Sequence, residues 1–304
     1  MIVGITGGRG FIGKQLVDYY IQQGEQVRIL SRKTPFKGVD AKFFFGDLCN
    51  SNVDLSSFVD NVDILYHCAG EINNESLMQD LHINGTQRLV DAATGKIGRW
   101  VQLSSVGVYG KCRDGTITEN SNKQPFGMYE QTKTEADKIV IESGIPYVIL
   151  RPSNVFGFDM PNQSLRGLLR TMQSGLFFYI GKKNESLVNY VHISDVVNAL
   201  VCCGINDKAL GEIFNLSQSI KVERMITSFA SGMESDKRIF RLPENIVRLI
   251  VCIFGRIPKF PLTSSRVDAL TGRCVYNSSK VQKILSFKYS MTLEERFALF
   301  AKQK

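Results

Sequence analysis

Met1-Ile-Val-Gly-Ile-Thr-Gly-Gly-Arg-Gly-Phe-Ile-Gly13 is the most informative stretch of the chain. Ile2, Val3 and Ile5 form a short apolar run that reads as a buried strand. The chain then turns through Gly7, Gly8 and Gly10 and enters a helix near Phe11. Ile12, Leu16 and Tyr19/Tyr20 follow at helical spacing, and Gly24 ends the helix. Strand, glycine turn and helix bring backbone N–H groups and the positive end of a helix dipole to one point, which suits a pyrophosphate. A Cβ in such a turn would block the phosphate or forbid the tight backbone path. The backbone around Gly7, Gly10, Phe11 and Ile12 is therefore expected to hold a dinucleotide.

Working outward, Gln26 to Leu30 reads as a second strand that ends in Ser31-Arg32-Lys33. In NAD-binding folds an acidic residue about 20 positions beyond the glycines takes the ribose 2′-OH. Here that place carries no carboxylate and two cations, and Arg9 sits inside the glycine loop. Arg32 and its neighbours would pair with a 2′-phosphate, so NADP is favoured and NAD is the alternative; the bland reading is a solvated basic turn. Ala41 to Phe45 reads as a third strand leading into Gly46-Asp47-Leu48, with Asp47 placed to meet the adenine edge and Leu48 beside it. Ile64 to His67, Trp100 to Leu103 and Tyr147 to Leu150 read as further strands, with helices over about 79–93 and 127–142. Strands alternating with helices imply right-handed βαβ units and a parallel sheet covered on both faces. The fold class is α/β, a Rossmann-type doubly wound parallel sheet with a smaller C-terminal α/β substrate lobe. The boundaries read as 1–155 plus about 186–208 for the dinucleotide-binding domain, and about 156–185 plus 209–304 for the lobe. Asn189 to Cys203 resumes strand then helix, with Ser194 or Asp195 as N-cap.

Composition narrows the classes. The chain has 304 residues, 43% hydrophobic and 22% charged, as in an ordinary globular protein. With the first strand beginning at Met1, no targeting segment is expected ahead of it, and a cytoplasmic location follows. The net charge of +8 is scattered, with no basic block and no interleaved aromatics, so nucleic acid is not an expected partner. Seven cysteines without a C-x-x-C pair read as reduced thiols, and Cys112 as an inert lone cysteine. Three isolated histidines give no metal-ligand spacing; His67 and His192 read as packed residues. Ile246 to Phe260 mixes apolar residues with Arg248, Arg256 and Lys259. It could rest on an anionic membrane surface, but a helix covering the substrate lobe is the preferred reading.

The chemistry centres on Ser105, Tyr129 and Lys133. Tyr129-Glu-Gln-Thr-Lys133 is a Y-x-x-x-K on a helix, and i, i+4 spacing puts both side chains on one face. A nearby ammonium would favour the phenolate and lower the Tyr129 pKa toward acid/base duty. Ser105, just past a strand, could polarise a substrate oxygen.

These residues make the chain resemble an extended short-chain dehydrogenase/reductase of the NAD(P)-dependent epimerase/dehydratase family. The matches run in order: Thr6-Gly-Gly-Arg-Gly-Phe-Ile-Gly13, Gly46-Asp-Leu48, His67-Cys-Ala-Gly70, Asn84-Gly-Thr86, Ser104-Ser-Val-Gly-Val-Tyr-Gly110, Tyr129-x-x-x-Lys133, Leu150-Arg-Pro-Ser-Asn-Val-Phe-Gly157 and Tyr190-Val-His-Ile-Ser-Asp195. The resemblance implies that Tyr129 exchanges the proton, that Ser105 binds the reacting oxygen, and that Lys133 binds the nicotinamide ribose. Asn154 would meet the phosphate of a nucleotide sugar, joined by a C-terminal arginine, Arg273 or Arg266. Members that eliminate water carry an Asp-Glu pair where this chain has Val106-Gly107, and related decarboxylases carry a nearby Glu that is also missing. What remains is hydride and proton transfer at one carbon. The resemblance therefore implies an NADP-dependent reductase of a nucleotide-linked 4-keto sugar in surface polysaccharide synthesis. A 4-epimerase with retained cofactor, a 3β-hydroxysteroid-type dehydrogenase and a non-catalytic NADP sensor are the alternatives. A homodimer is also implied, the 79–93 and 127–142 helices packing as a four-helix bundle.

Overall fold

The computed structural model describes residues 1–33, 39–234, 236, 238–254 and 262–303. At its centre lie seven strands: β1 (Ile2–Thr6), β2 (Gln26–Ser31), β3 (Lys42–Phe45), β4 (Val62–His67), β5 (Ile97–Leu103), β6 (Tyr147–Pro152) and β7 (Ile213–Leu216). They line up as β3-β2-β1-β4-β5-β6-β7, and every neighbouring pair is parallel. This is the doubly wound order, and it reverses between β1 and β4, where the outgoing chains diverge and leave a crevice at the strands' carboxyl ends. Consecutive residues of β5 show why the strands are so apolar. Trp100 faces a core with Leu89, Val90 and Val140, while Val101 faces the opposite core with Leu16, Val17, Val196 and Leu200. The helices Phe11–Gln22 and Ile193–Ile205 cover one face; Gly85–Ala93 and Met128–Glu142 cover the other.

A second core lies beside the sheet. Strands Asn154–Phe156, Leu187–His192 and Gln218–Lys221 form a small sheet under the helices Val222–Gly232 and Leu293–Lys302. Phe156 stacks on Phe297 at 4.7 Å, with Phe229 against the same ring. Two short parallel pairs extend this region: Asp114–Ile117 with Arg273–Tyr276, and Tyr179–Ile180 with Arg241–Leu242.

The structure corrects several expectations. Ile213–Leu216, assigned by sequence to the second lobe, pairs with Tyr147–Pro152 and extends the main sheet. The expected helix over 79–93 is an α turn at Glu75–Met78, a π-helical segment at Gln79–Asn84 and an α-helix at Gly85–Ala93. The N-cap of Ile193–Ile205 is His192, whose Nδ1 accepts the Ser194 N–H; Asp195 is drawn away to the N–H and hydroxyl of Ser290. Cys112 is not alone. It forms a disulfide with Cys274, because the pairing of Asp114–Ile117 with Arg273–Tyr276 brings their Cα atoms to 5.8 Å. The helix Glu244–Phe254 buries Val247 and Val251 and leaves Ile246, Leu249 and Ile253 exposed. The rest of the 246–260 stretch, with Arg256, Lys259 and Phe260, lies outside the described residues. Among the described residues no helix is long and apolar enough to cross a membrane.

Candidate active site

The glycine turn has the shape a phosphate cradle requires. Gly7 has φ +68°, and a Cβ there would lie 2.7 Å from the backbone of Cys68 and Ala69 in the loop after β4. Gly13 packs on the turn itself, where a Cβ would fall 2.2 Å from the Gly7 carbonyl. The Gly10 N–H donates to that carbonyl at 2.8 Å and starts the helix as a cap without a side chain. No acidic residue stands in the first helical turn, so the dipole and the N–H groups of Phe11 and Ile12 are not screened by a carboxylate of that turn. The site fits the pyrophosphate of a dinucleotide.

The loops that follow β2, β3 and β4 end at the same edge. Ser31 ties the β2 turn through its hydroxyl, which donates to the Lys33 carbonyl and accepts the Lys33 N–H. Arg32 and Lys33 are exposed there. The charge of Arg32 is felt at both Cys49, after β3, and Glu71, after β4. Asp47 accepts the Cys49 N–H at 3.0 Å, and the buried Leu48 has its carbonyl held by Arg88.

Ser105 follows β5, and Tyr129 and Lys133 stand one turn apart on the helix Met128–Glu142. The Ser105 hydroxyl accepts the Gly107 N–H at 3.0 Å and lies near enough to the Tyr129 hydroxyl to draw its pKa down. Lys133 is buried, and its Nζ donates to the Leu103 carbonyl at 2.7 Å. The sequence expectation for Tyr129 is overturned in direction. Burial pushes its phenol up to about 12, the Glu130 carboxylate adds to this, and the Ser105 hydrogen bond pulls the other way. The Lys133 ammonium is committed to a carbonyl and is itself pulled down by burial, with Asp137 offsetting. Tyr129 is thus a proton carrier in its neutral form. Val106 and Gly107 lie in the 3₁₀ turn Val106–Tyr109, and the nearby Glu130 carboxylate caps the Gly127 N–H at 3.0 Å, so it does not take the missing acid's place.

Below the triad runs a buried polar network that the sequence reading missed. Asp137 Oδ2 accepts from Ser104 Oγ at 2.9 Å and from Arg151 Nε and Nη2 at 3.1 and 2.8 Å. Arg151 Nη1 donates to the Tyr109 hydroxyl, which donates to Asn215 Oδ1. The available signals were an arginine inside an apolar strand and an acid one helical turn after Lys133. His67 is a packed residue, with Nδ1 2.7 Å from Thr6 Oγ1 and Nε2 3.1 Å from Thr86 Oγ1.

The residues expected to meet the substrate have partners of their own. Asn154 is exposed, and its amide donates to the Asn189 carbonyl. Arg273 donates to the carboxylates of Asp114 and Glu185. Arg266 opens the helix Ser264–Thr271, its backbone N–H bonded to Thr263 Oγ1.

Fold and site meet in one class of protein: residues 3–217 match the NAD dependent epimerase/dehydratase family, and the chain belongs to it. A UDP-glucose 4-epimerase of Vibrio cholerae is 26% identical over 316 aligned residues, covering 96% of this chain and 92% of that protein. A dTDP-6-deoxy-L-talose 4-dehydrogenase (NAD(P)(+)) of Kitasatospora kifunensis is 32% identical across 55% of this chain and 56% of its own. Among solved structures, UDP-glucuronic acid 4-epimerase from Bacillus cereus in complex with NAD superposes with a TM-score of 0.75. It is 18% identical and covers 99% of this chain and 96% of its own, a likeness of fold.

Proposed function

We propose that the protein is an NADP-dependent oxidoreductase that reduces the 4-keto group of a nucleotide-linked sugar. The observation that supports this reading is Tyr129, a phenol that burial pushes up to about 12 and that lies beside Ser105, so that it can give a proton to a carbonyl oxygen. In this scheme Ser105 and Tyr129 hydrogen-bond the keto oxygen, and Tyr129 gives it a proton as the alkoxide forms. Lys133 fixes the helix to the end of β5 and faces the ribose of the nicotinamide half. When bound, the nicotinamide supplies the hydride. Gly7, Gly10, Phe11 and Ile12 hold the pyrophosphate, Asp47 and Leu48 border the adenine, and Arg32 meets the 2′-phosphate. Asn154 and Arg273 are the candidates for the sugar-nucleotide phosphates, Arg273 after exchanging one of its carboxylates. The Kitasatospora relative, a dTDP-6-deoxy-L-talose 4-dehydrogenase (NAD(P)(+)), supports the reaction class.

A second reading, a 4-epimerase that retains its cofactor, is favoured by the Vibrio relative, which matches nearly the whole chain. Either enzyme would work in the cytoplasm on precursors of a surface polysaccharide. Either would form a homodimer through helices Gly85–Ala93 and Met128–Glu142. The test is a panel of nucleotide-linked sugars and 4-keto sugars with NADPH and NADH. Consumption of one NADPH per keto sugar supports the reductase; interconversion of two nucleotide sugars without added cofactor sinks it.

A further inference from the structure

The segment ahead of the catalytic helix is irregular. Gln79–Asn84 is wound as a π-helix between two α-helical pieces, a form that concentrates at functional sites. Its buried member is His82, which is 1% exposed. His82 Nε2 accepts the Glu71 N–H at 2.9 Å, so Nε2 carries no proton and the ring's single proton sits on Nδ1. Nδ1 lies 2.8 Å from Thr132 Oγ1 and donates to it. The Thr132 hydroxyl donates in turn to the carbonyls of Met128 and Tyr129, at 2.8 and 3.1 Å. The His82 ring also stands edge-on to the Tyr129 ring, centroids 5.7 Å apart. Burial, and then the Lys133 charge, hold the imidazole pKa down to about 3, so the relay keeps one protonation state at neutral pH.

The two ends of this relay lie on different parts of the site. Glu71 organises the loop after β4: its carboxylate accepts the N–H groups of Ile72, Asn73 and Asn74 and feels the charge of Arg32 across the crevice. Thr132 sits between Tyr129 and Lys133. A packing role alone would be met by any flat ring, with no need for an acceptor toward Glu71 and a donor toward Thr132.

We propose that His82 is a positioning residue that couples the Glu71–Asn74 loop, beside the dinucleotide crevice, to the helical turn carrying Tyr129 and Lys133. Settling of that loop around a bound dinucleotide then orders the catalytic tyrosine. The coupling rests on the dinucleotide reading of the crevice and is independent of which sugar is the substrate.

Hydrogen–deuterium exchange with and without NADPH tests it, on the wild type and on His82→Phe, His82→Gln and Thr132→Val. In the wild type NADPH should slow exchange in peptides covering 71–74 and 128–133 together. His82→Phe keeps the ring against Tyr129 but removes both hydrogen bonds; Thr132→Val removes the hydroxyl at the other end and carries the test if the histidine variant does not fold. Both should keep the slowing at 71–74 and lose it at 128–133. His82→Gln, with one acceptor and one donor in its amide, should restore part of it. With a keto-sugar substrate, His82→Phe should lower turnover by about 10²-fold, the scale of a small misplacement, at nearly unchanged KM. Equal slowing at 128–133 in the wild type and both variants overturns the coupling while leaving the dinucleotide site intact. No slowing at either segment in the wild type overturns the dinucleotide reading itself, and the coupling with it.

Discussion

Removing the carboxylate of Asp137 should destabilise the protein severely. The side chains of Asp137 and Arg151 are fully buried, and the bonds from Ser104 Oγ, Arg151 Nε and Arg151 Nη2 all end on Asp137 Oδ2. In Asp137→Ala the guanidinium, 0% exposed, keeps a single side-chain partner, the Tyr109 hydroxyl. Breaking a buried pair from one side costs about 3–5 kcal/mol, a large part of the roughly 5–15 kcal/mol that holds a typical domain together. Exchanging both partners, Asp137→Leu with Arg151→Met, leaves no stranded charge and should recover most of that loss. Urea unfolding of Asp137→Leu, Arg151→Met and the double variant, arranged as a cycle, measures this directly. The same carboxylate opposes the burial-driven fall of the Lys133 pKa, so its loss should move any alkaline limb of cofactor binding to lower pH. A loss below about 1 kcal/mol in Asp137→Ala, against the 3–5 kcal/mol of a stranded buried charge, would refute the reasoning. So would a double variant as unstable as the sum of its singles.

Further predictions follow from the site. Tyr129→Phe keeps the ring's packing and removes the transferable proton, so turnover should fall by roughly 10²–10⁴-fold with cofactor affinity retained; near-normal turnover would make Tyr129 a bystander. Arg32→Asp should reverse the preference for NADPH over NADH, with a lost charge-assisted contact worth on the order of 1.5 kcal/mol at this exposed position. Equal affinities of the wild type for the two cofactors, by titration, would contradict that. His67 and His82 are held near pKa 3 and His192 near 4, all by burial first, against 6.5 for an unperturbed side chain. Their folded pKa values are depressed, so the unfolded chain binds more protons below pH 6.5. Stability is complete above that pH and should fall by about 1.4 kcal/mol per unit for each of the buried His67 and His82 as pH drops toward 4, and by less for the partly exposed His192. A flat stability profile between pH 6.5 and 4.5 would show that these rings are not buried neutral.

The features legible in the sequence are those written in local periodicity. The strand–glycine–helix start, the alternation of apolar runs and the Tyr129/Lys133 spacing need only neighbours along the chain to be recognised. What escaped depends on contacts distant in sequence. Ile213–Leu216 looks like any short strand until Tyr147–Pro152 is seen to lack a neighbour on one side. Cys112 and Cys274 are paired by a strand register that no spacing announces. The π-helical turn at Gln79–Asn84 has no compositional signature, and apolar periodicity alone runs through it as one long helix. The Tyr129 pKa depends on distant contacts in the same way: the Leu103 carbonyl captures the Lys133 ammonium, and burial sets the phenol's pKa.

The central claim is net hydride transfer to a sugar carbon with a proton from Tyr129. The most direct measurement follows deuterium from NADPH labelled at the nicotinamide C4 into a nucleotide-linked 4-keto sugar, with mass spectrometry of the product. One deuterium should be retained at the sugar C4 and one NADP⁺ released per product formed. Purified protein that interconverts two nucleotide sugars with bound dinucleotide, incorporating no label from the added NADPH, would contradict it.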